Sequence, residues 1–190
     1  MNGYVVDGRV DRSALAKAIA DAALLRGEFV LRSGKTSQYY LDKYKFSTRP
    51  ELLDPVARLL AERVGAIEAA AGVRTDRLAG AELGGIPLVT ATSLVLGRPT
   101  VFVRNAKKDY GTAQQLEGAY EAGETVVLLE DVATTAGQAL EAAKALGDVG
   151  LKVLGVIATI DREEGARANV EGAGLRFEAL FTKGDLGIAG

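Results

Sequence analysis

Two side chains on which many enzymes depend are missing from this chain: it contains no cysteine and no histidine. Without cysteine there is no disulfide, no thiolate metal site and no Cys nucleophile. Without histidine the commonest general base is gone, and with it any Ser-His triad. Chemistry here has to run on carboxylates, lysine, arginine, tyrosine, hydroxyls and backbone dipoles. That set suits a reaction driven by electrostatic stabilisation better than one needing a base poised near neutrality. An excess of positive charge is also missing. A net charge of −2 and a pI near 5.4 argue against nucleic acid as the main partner. The longest apolar tract, residues 88–96, is broken by Thr and Ser and is too short to span a bilayer. Residues 1–10 carry charge and no apolar stretch, so no secretory leader is expected and the cytoplasm is the expected compartment. Two phosphate signatures are absent as well: G-x-x-x-x-G-K-[ST], and a strand followed by G-x-G-x-x-G.

What is present is a chain of 190 residues, 48% hydrophobic and 25% charged, which fits one domain with a real core. It is organised around residues 126–138, V-V-L-L-E-D-V-A-T-T-A-G-Q. Val126 to Leu129 read as a buried strand of a parallel sheet, ending abruptly at Glu130 and Asp131. Two hydroxyls follow, Thr134 and Thr135, then Ala136 and Gly137, then a helical pattern over 139–146. Acids, hydroxyls and close-approach amides thus meet where a strand ends and a helix begins, the edge at which open α/β sheets bind ligands. Free N–H groups and the helix dipole favour a phosphate there, and a sugar diol or a divalent cation is the natural spacer between phosphate and carboxylates. The same pattern also suits a ligand-free α/β turn.

The rest of the chain places further candidates around this stretch. Residues 11–26 read as a helix stopped by Gly27. Residues 27–42, G-E-F-V-L-R-S-G-K-T-S-Q-Y-Y-L-D, read as a hairpin with Arg32 and Lys35 at its tip and tyrosines on its second arm. Its alternative is a solvated turn with core tyrosines. Pro50 opens a helix to Ala71 with Leu52, Leu53, Val56, Leu59, Leu60 and Val64 on one face, and Gly72 ends it. A strand at 76–81 leads to E-L-G-G-I-P, either a loop that lets a ligand approach its backbone at Gly84 and Gly85 or a plain strand-to-helix turn. A helix at 88–96 and a strand at 99–103 follow. Residues 104–123 are polar and rich in cations at their start, with Gly111 and Gly118 as possible hinges. This is either a lid over an anionic leaving group or a solvated loop. Arg162 follows a strand at 153–160; its fork suits a carboxylate, and a surface pair with Asp161 or Glu164 is the alternative. Phe177 opens a last strand to Thr182. Strands alternating with helices from residue 76 onward argue a parallel α/β sheet flanked by helices.

Four of these stretches, in order over residues 27–165, resemble the orotate phosphoribosyltransferases of the type I phosphoribosyltransferase family. E-D-V-A-T-T-A-G resembles that family's phosphoribosyl-pyrophosphate (PRPP) motif. G-E-F-V-L-R-S-G-K resembles its N-terminal hood, R-N-A-K-K-D-Y-G with E-G its mobile loop, and D-R-E-E-G its orotate-binding turn. The resemblance implies a type I phosphoribosyltransferase fold in one domain: hood 1–48, core 49–190, mobile loop 104–123. It implies transfer of phosphoribosyl from PRPP to orotate, giving orotidine 5′-monophosphate and diphosphate, with Mg²⁺ carried by PRPP near Asp131. It implies a homodimer whose loops close over each other's sites, with no nucleic acid or membrane partner.

By the same resemblance, PRPP is bound by Glu130, Asp131, Val132, Ala133, Thr134, Thr135, Ala136, Gly137 and Gln138, and by main-chain amides at Gly84 and Gly85. Its leaving group meets Arg32, Arg104, Lys107, Lys108 and Tyr110, and orotate meets Tyr40, Leu41, Thr134 and Arg162. Lys108, Asp131 and Arg104 are the catalytic candidates. Three departures stand out. Ala136 replaces a usual glycine, Asn105 a lysine, and Gly84 a lysine that some members carry, so any contact at residue 84 must come from backbone. A phosphoribosyltransferase for another base, or a non-catalytic effector-binding regulator, are the alternatives; Arg162 speaks against a purine, and residues 1–26 lack a helix-turn-helix.

Overall fold

Val126 to Leu129 are completely buried and alternate between two apolar layers, Val127 and Leu129 in one, Val126 and Leu128 in the other. A strand apolar on both faces has to lie inside a sheet covered on both sides. The computed structural model, which describes residues 3–6, 8–30, 34, 36–105 and 115–188, has that arrangement.

The chain opens with a ribbon of β1 (Val5–Val6) and β2 (Arg9–Val10), then α1 (Arg12–Ala23). Strands β3 (Leu24–Val30) and β4 (Thr36–Leu41) pair antiparallel as a separate hairpin. Helices α2 (Tyr44–Ser47) and α3 (Pro50–Ala71) lead to β5 (Arg77–Ala81), α4 (Gly85–Leu96) and β6 (Thr100–Val103). After β7 (Leu116–Glu117) come β8 (Thr125–Ala133), α5 (Gly137–Asp148), β9 (Lys152–Asp161), α6 (Ala166–Gly172) and β10 (Arg176–Thr182), with a 3-10 turn at Gly184–Leu186. The central sheet has the order β10-β9-β8-β5-β6-β7 and is parallel except for β7. One layer packs α1, α3 and α4 on the sheet through Ile19, Leu60, Leu88 and Ile157; the other packs α5 and α6 through Leu146 and Val170. Each such fully buried aliphatic side chain is worth roughly 1.5–3 kcal/mol.

Several expected boundaries move. The helix expected over 11–26 ends at Ala23, capped at its start by the Asp11 carboxylate, which accepts from the Ala14 amide at 3.0 Å. Gly27 does not stop it; Leu24 already belongs to β3, and Gly27 lies in the irregular register between Arg26 and Phe29. Helix α4 begins at Gly85, inside the loop expected over 82–87, with Pro87 tolerated in its first turn, where no intrahelical N–H is needed. The expected loop 104–123 carries a short strand on its return limb, β7, because Leu116 is buried against β6. Gly118 has φ +117° and a Cβ there would lie 3.0 Å from the Thr100 carbonyl oxygen, so close packing by itself calls for glycine. Residues 187–188, left unassigned by pattern, bring Ile188 into the core behind α1 and α3. Among the described residues no helix is long and apolar enough to cross a membrane.

Candidate active site

In this sheet order the chain runs outward from β5 to β6, then returns to the other side of β5 as β8 and continues to β9 and β10. The reversal falls between β5 and β8. At such a switch point the loops leaving the two strands part and open a crevice at the carboxyl edge. The turn after β5 (Glu82–Gly85) and the turn after β8 (Thr134–Ala136) flank it, while Arg104 ends β6 and Arg162 follows β9 on the same edge.

Strand β8 does not stop at the acid pair, as the sequence suggested, but runs on to Ala133. Ladder pairing with β9 continues through Glu130↔Ala158, Val132↔Ile160 and Ala133↔Asp161, so the backbone carrying both carboxylates is fixed by the sheet. Beyond it, residues 130 and 132–139 with Glu141 line a cavity of about 280 Å³. Its floor is the amino end of α5, which no side chain caps, so the first-turn amides from Gly137 onward are left for a ligand or solvent. Ala136 precedes them in the left-handed region at φ +59°, ψ +22°, and is buried. For alanine that conformation costs about 1–2 kcal/mol. Asn169 on α6 holds the loop from behind by donating to the Thr135 carbonyl at 2.9 Å.

The two carboxylates have different surroundings. Glu130 lines the cavity and accepts the Asp131 amide at 3.1 Å; burial, and after it the adjacent Asp131 carboxylate, push its pKa up to about 8. Asp131 is 1% exposed, accepts the Val132 amide at 2.5 Å and forms an ion pair with Lys43 Nζ at 2.8 Å. Burial works against the Lys43 charge, but the Asp131 carboxylate outweighs it, and the lysine pKa is raised.

Gly84 lies against this pair. A Cβ at residue 84 would be 1.4 Å from Asp131 Oδ2, and one at Gly85 would be 2.9 Å from the Leu129 carbonyl oxygen. Both glycines are therefore demanded by packing of the β5 turn on β8, whatever else approaches their amides. The Glu82–Leu83 peptide bond in this turn is cis.

Arg162 is joined to β8 by its amide, which donates to the Ala133 carbonyl at 2.9 Å, next to Thr134. Its Nη2 donates to the Tyr39 hydroxyl at 2.9 Å and lies 2.8 Å from Glu164, and its guanidinium stacks over the Tyr39 ring at 5.1 Å. Arg162 Nε is buried without a hydrogen-bond partner. The aromatic that meets Arg162 is thus Tyr39. Strand alternation turns Tyr40 to the other face, exposed and 5.7 Å from the Phe29 ring, while Leu41 is buried in the core.

Arg104 is half-exposed at the end of β6, 3.4 Å from Glu117, and the Asn105 amide donates to Glu82 at 2.7 Å, tying the start of the 104–123 stretch to the β5 turn. Arg32, Lys107, Lys108 and Tyr110 lie outside the described residues. Sequence reasoning missed two residues of this edge. Tyr39 was visible only as one of a tyrosine pair whose facing needs the strand register. Lys43 lies one position beyond the quoted hairpin stretch, and nothing local in D-K-Y-K announces a partner 88 residues away. Among the described residues no group of three or more Asp or Glu could hold a metal ion by itself.

Comparison with known proteins agrees with this geometry. Residues 45–173 match the model of the phosphoribosyl transferase domain. The chain is 46% identical over 173 residues to the orotate phosphoribosyltransferase of Natronomonas pharaonis, covering 90% of this chain and 95% of that one. Among solved structures it resembles the orotate phosphoribosyltransferase of Aeropyrum pernix, with a TM-score of 0.80 at 32% identity over 93% of this chain and 99% of that one. It also resembles the Mycobacterium tuberculosis orotate phosphoribosyltransferase in complex with PRPP, with a TM-score of 0.76 at 31% identity over 93% and 99% of the two chains. The motif order, the switch-point cavity and these relatives agree: the chain belongs to the orotate phosphoribosyltransferases, within the phosphoribosyl transferase domain family.

Proposed function

We propose that this chain transfers the phosphoribosyl group of PRPP to orotate, releasing diphosphate and forming orotidine 5′-monophosphate, a step of pyrimidine synthesis. The observation that carries the reading is the joining of the uncapped loop after β8 to Arg162: the Arg162 amide donates to the Ala133 carbonyl at 2.9 Å, at the root of the loop that lines the cavity. In the reaction the bond from C1 of ribose to the diphosphate oxygen breaks, and C1 bonds to N1 of orotate. The N1 proton leaves to solvent, since that nitrogen is acidic enough to need no histidine. The bond electrons go with the diphosphate.

The roles follow from position. The 5′-phosphate rests on the amides of residues 136–138 and the hydroxyls of Thr134 and Thr135. Glu130, which lines the cavity, accepts the ribose hydroxyls, and the buried Asp131 charge behind it favours the cationic sugar of the transition state. The Arg162 guanidinium donates to the orotate carboxylate, with Tyr39 holding it in place. Arg104, Arg32, Lys107 and Lys108 take up charge on the departing diphosphate, and Tyr110 joins them at that end of PRPP. Magnesium fits this site as a passenger of PRPP, because that ion favours substrate phosphates plus one or two carboxylates, and Asp131 with Glu130 offers that number. Bound there, it would neutralise the diphosphate.

We further place a second copy of the chain against the face shared by α3 and α4. Leu94 is 82% and Leu83 64% exposed there, beside a cavity of about 470 Å³ lined by Tyr44, Leu53, Ile86 and Leu94. Leu83 and Tyr44 adjoin Gly84 and Lys43 in the chain, so this face borders the site. Light scattering of Leu94→Glu should report loss of the dimer. The activity itself is tested by following orotate absorbance with PRPP and Mg²⁺, then repeating with uracil and adenine. Loss of signal with orotate alone is expected. Turnover of adenine or uracil in its place, or of none of the three, would end the reading.

A further inference from the structure

The crevice between β5 and β8 has an electrostatic difficulty. A ligand carrying a diphosphate has to enter beside Asp131, a carboxylate that is 1% exposed and fixed by the sheet ladder. Repulsion between like charges is severe where water is excluded, unless a cation lies between them. Magnesium carried by PRPP would be one such cation; residue 84 cannot supply a second, because it has no side chain, and a Cβ there would strike Asp131 Oδ2 at 1.4 Å. That same oxygen is 2.8 Å from Lys43 Nζ. The ammonium therefore lies beside the place where a side chain at residue 84 would begin, although its backbone belongs to the junction between β4 and α2.

We infer that Lys43 is a substrate-binding residue, which bridges Asp131 to the diphosphate end of PRPP and to the released diphosphate. The inference rests on the reading that the β5 turn takes the diphosphate through its backbone. Three features fit. An ammonium has three donors, and Asp131 takes one of them. The Lys43 side chain is 33% exposed and that of Asp131 1%, so of the pair the lysine is the one a ligand can reach. Its other described neighbours are the Tyr44 ring at 5.7 Å, which offers a π face, and Glu130, which burial tends to keep protonated, so neither competes strongly with an incoming phosphate. Held in this way, the lysine is oriented before the substrate arrives. A purely structural ion pair would serve only to compensate the buried Asp131 charge, and the two roles differ in which ligands notice the lysine.

Calorimetric titration of diphosphate, PRPP and orotidine 5′-monophosphate into the wild type, Lys43→Gln and Lys43→Arg separates them. Lys43→Gln is expected to weaken diphosphate and PRPP by about tenfold or more, the size of one lost charge-assisted hydrogen bond, and to leave the monophosphate product unaffected. Lys43→Arg should keep most of the diphosphate affinity. Equal weakening of all three ligands, or unchanged diphosphate binding, would overturn the assignment. A wild type that binds the product but not diphosphate would instead sink the reading of the β5 turn. If Lys43→Gln does not fold, reductive methylation of the wild type decides: diphosphate should protect Lys43 and the product should not, and equal protection overturns the proposal.

Discussion

The loop after β8 leaves a strand paired along both edges, by β5 and β9, whereas the hairpin β3–β4 pairs only with itself. The first has fully buried residues on both faces of its strand. The second has Val30 78% exposed, an irregular register between Arg26 and Phe29, and its link to the site in the contact of Tyr39 with Arg162. The sugar-phosphate half of the site is therefore built into the sheet before any ligand is present. In the proposed roles the leaving group is met instead by groups on other segments, and Arg162, which meets the base, is held by Tyr39 of the hairpin. Preorganised donors need no rearrangement at the moment of reaction, while delivered ones can close over a substrate and exclude water.

The comparison can be broken where delivered charge matters most. Lys108→Ala is expected to raise the barrier by about 2–4 kcal/mol, seen in kcat with little change in the binding of orotidine 5′-monophosphate. Near-normal turnover would remove the lid from the mechanism. Arg162→Ala should lower kcat/KM for orotate by about 1.5–3 kcal/mol, as for a lost charge-assisted hydrogen bond, and leave the KM for PRPP nearly unchanged. Equal losses for both substrates would mean that the two halves are not separable.

The built-in half has its own signatures. Glu130 titrates near 8, so if the ribose hydroxyls require its carboxylate, PRPP affinity should rise about fivefold from pH 7 to 8, and Glu130→Gln should flatten that rise. The same shift acts on stability with a definite sign. Folded Glu130 keeps a proton that the unfolded chain releases from pH 4.5 upward, so this group removes stability as the pH climbs from 4.5 to about 8. Denaturant titrations across that window should therefore give a shallower slope for Glu130→Gln. The smallest effect belongs to Ala136→Gly. Relief of the left-handed alanine at φ +59° is partly offset by the greater freedom of glycine in the unfolded chain, for a net gain of up to about 1 kcal/mol. A loss of stability there would mean that the loop depends on the alanine methyl.

The sequence by itself determined the strand-and-helix alternation, the central motif and the family. Each is written in contiguous residues: the uninterrupted apolar run ending in Glu130 and Asp131, Pro50 opening and Gly72 closing a helix, and four motifs in order. What local pattern could not carry was any fact that depends on two distant segments meeting. Strand parity over two adjacent tyrosines is settled by which face packs on the sheet, so Tyr39 rather than Tyr40 faces Arg162. The reason for glycine at residue 84 is a carboxylate arriving from β8, and the lysine paired with that carboxylate comes from the junction between β4 and α2. Periodicity records which face of an element is buried, but not what it is buried against; only the packed sheet, with β5 and β8 brought side by side, decided that.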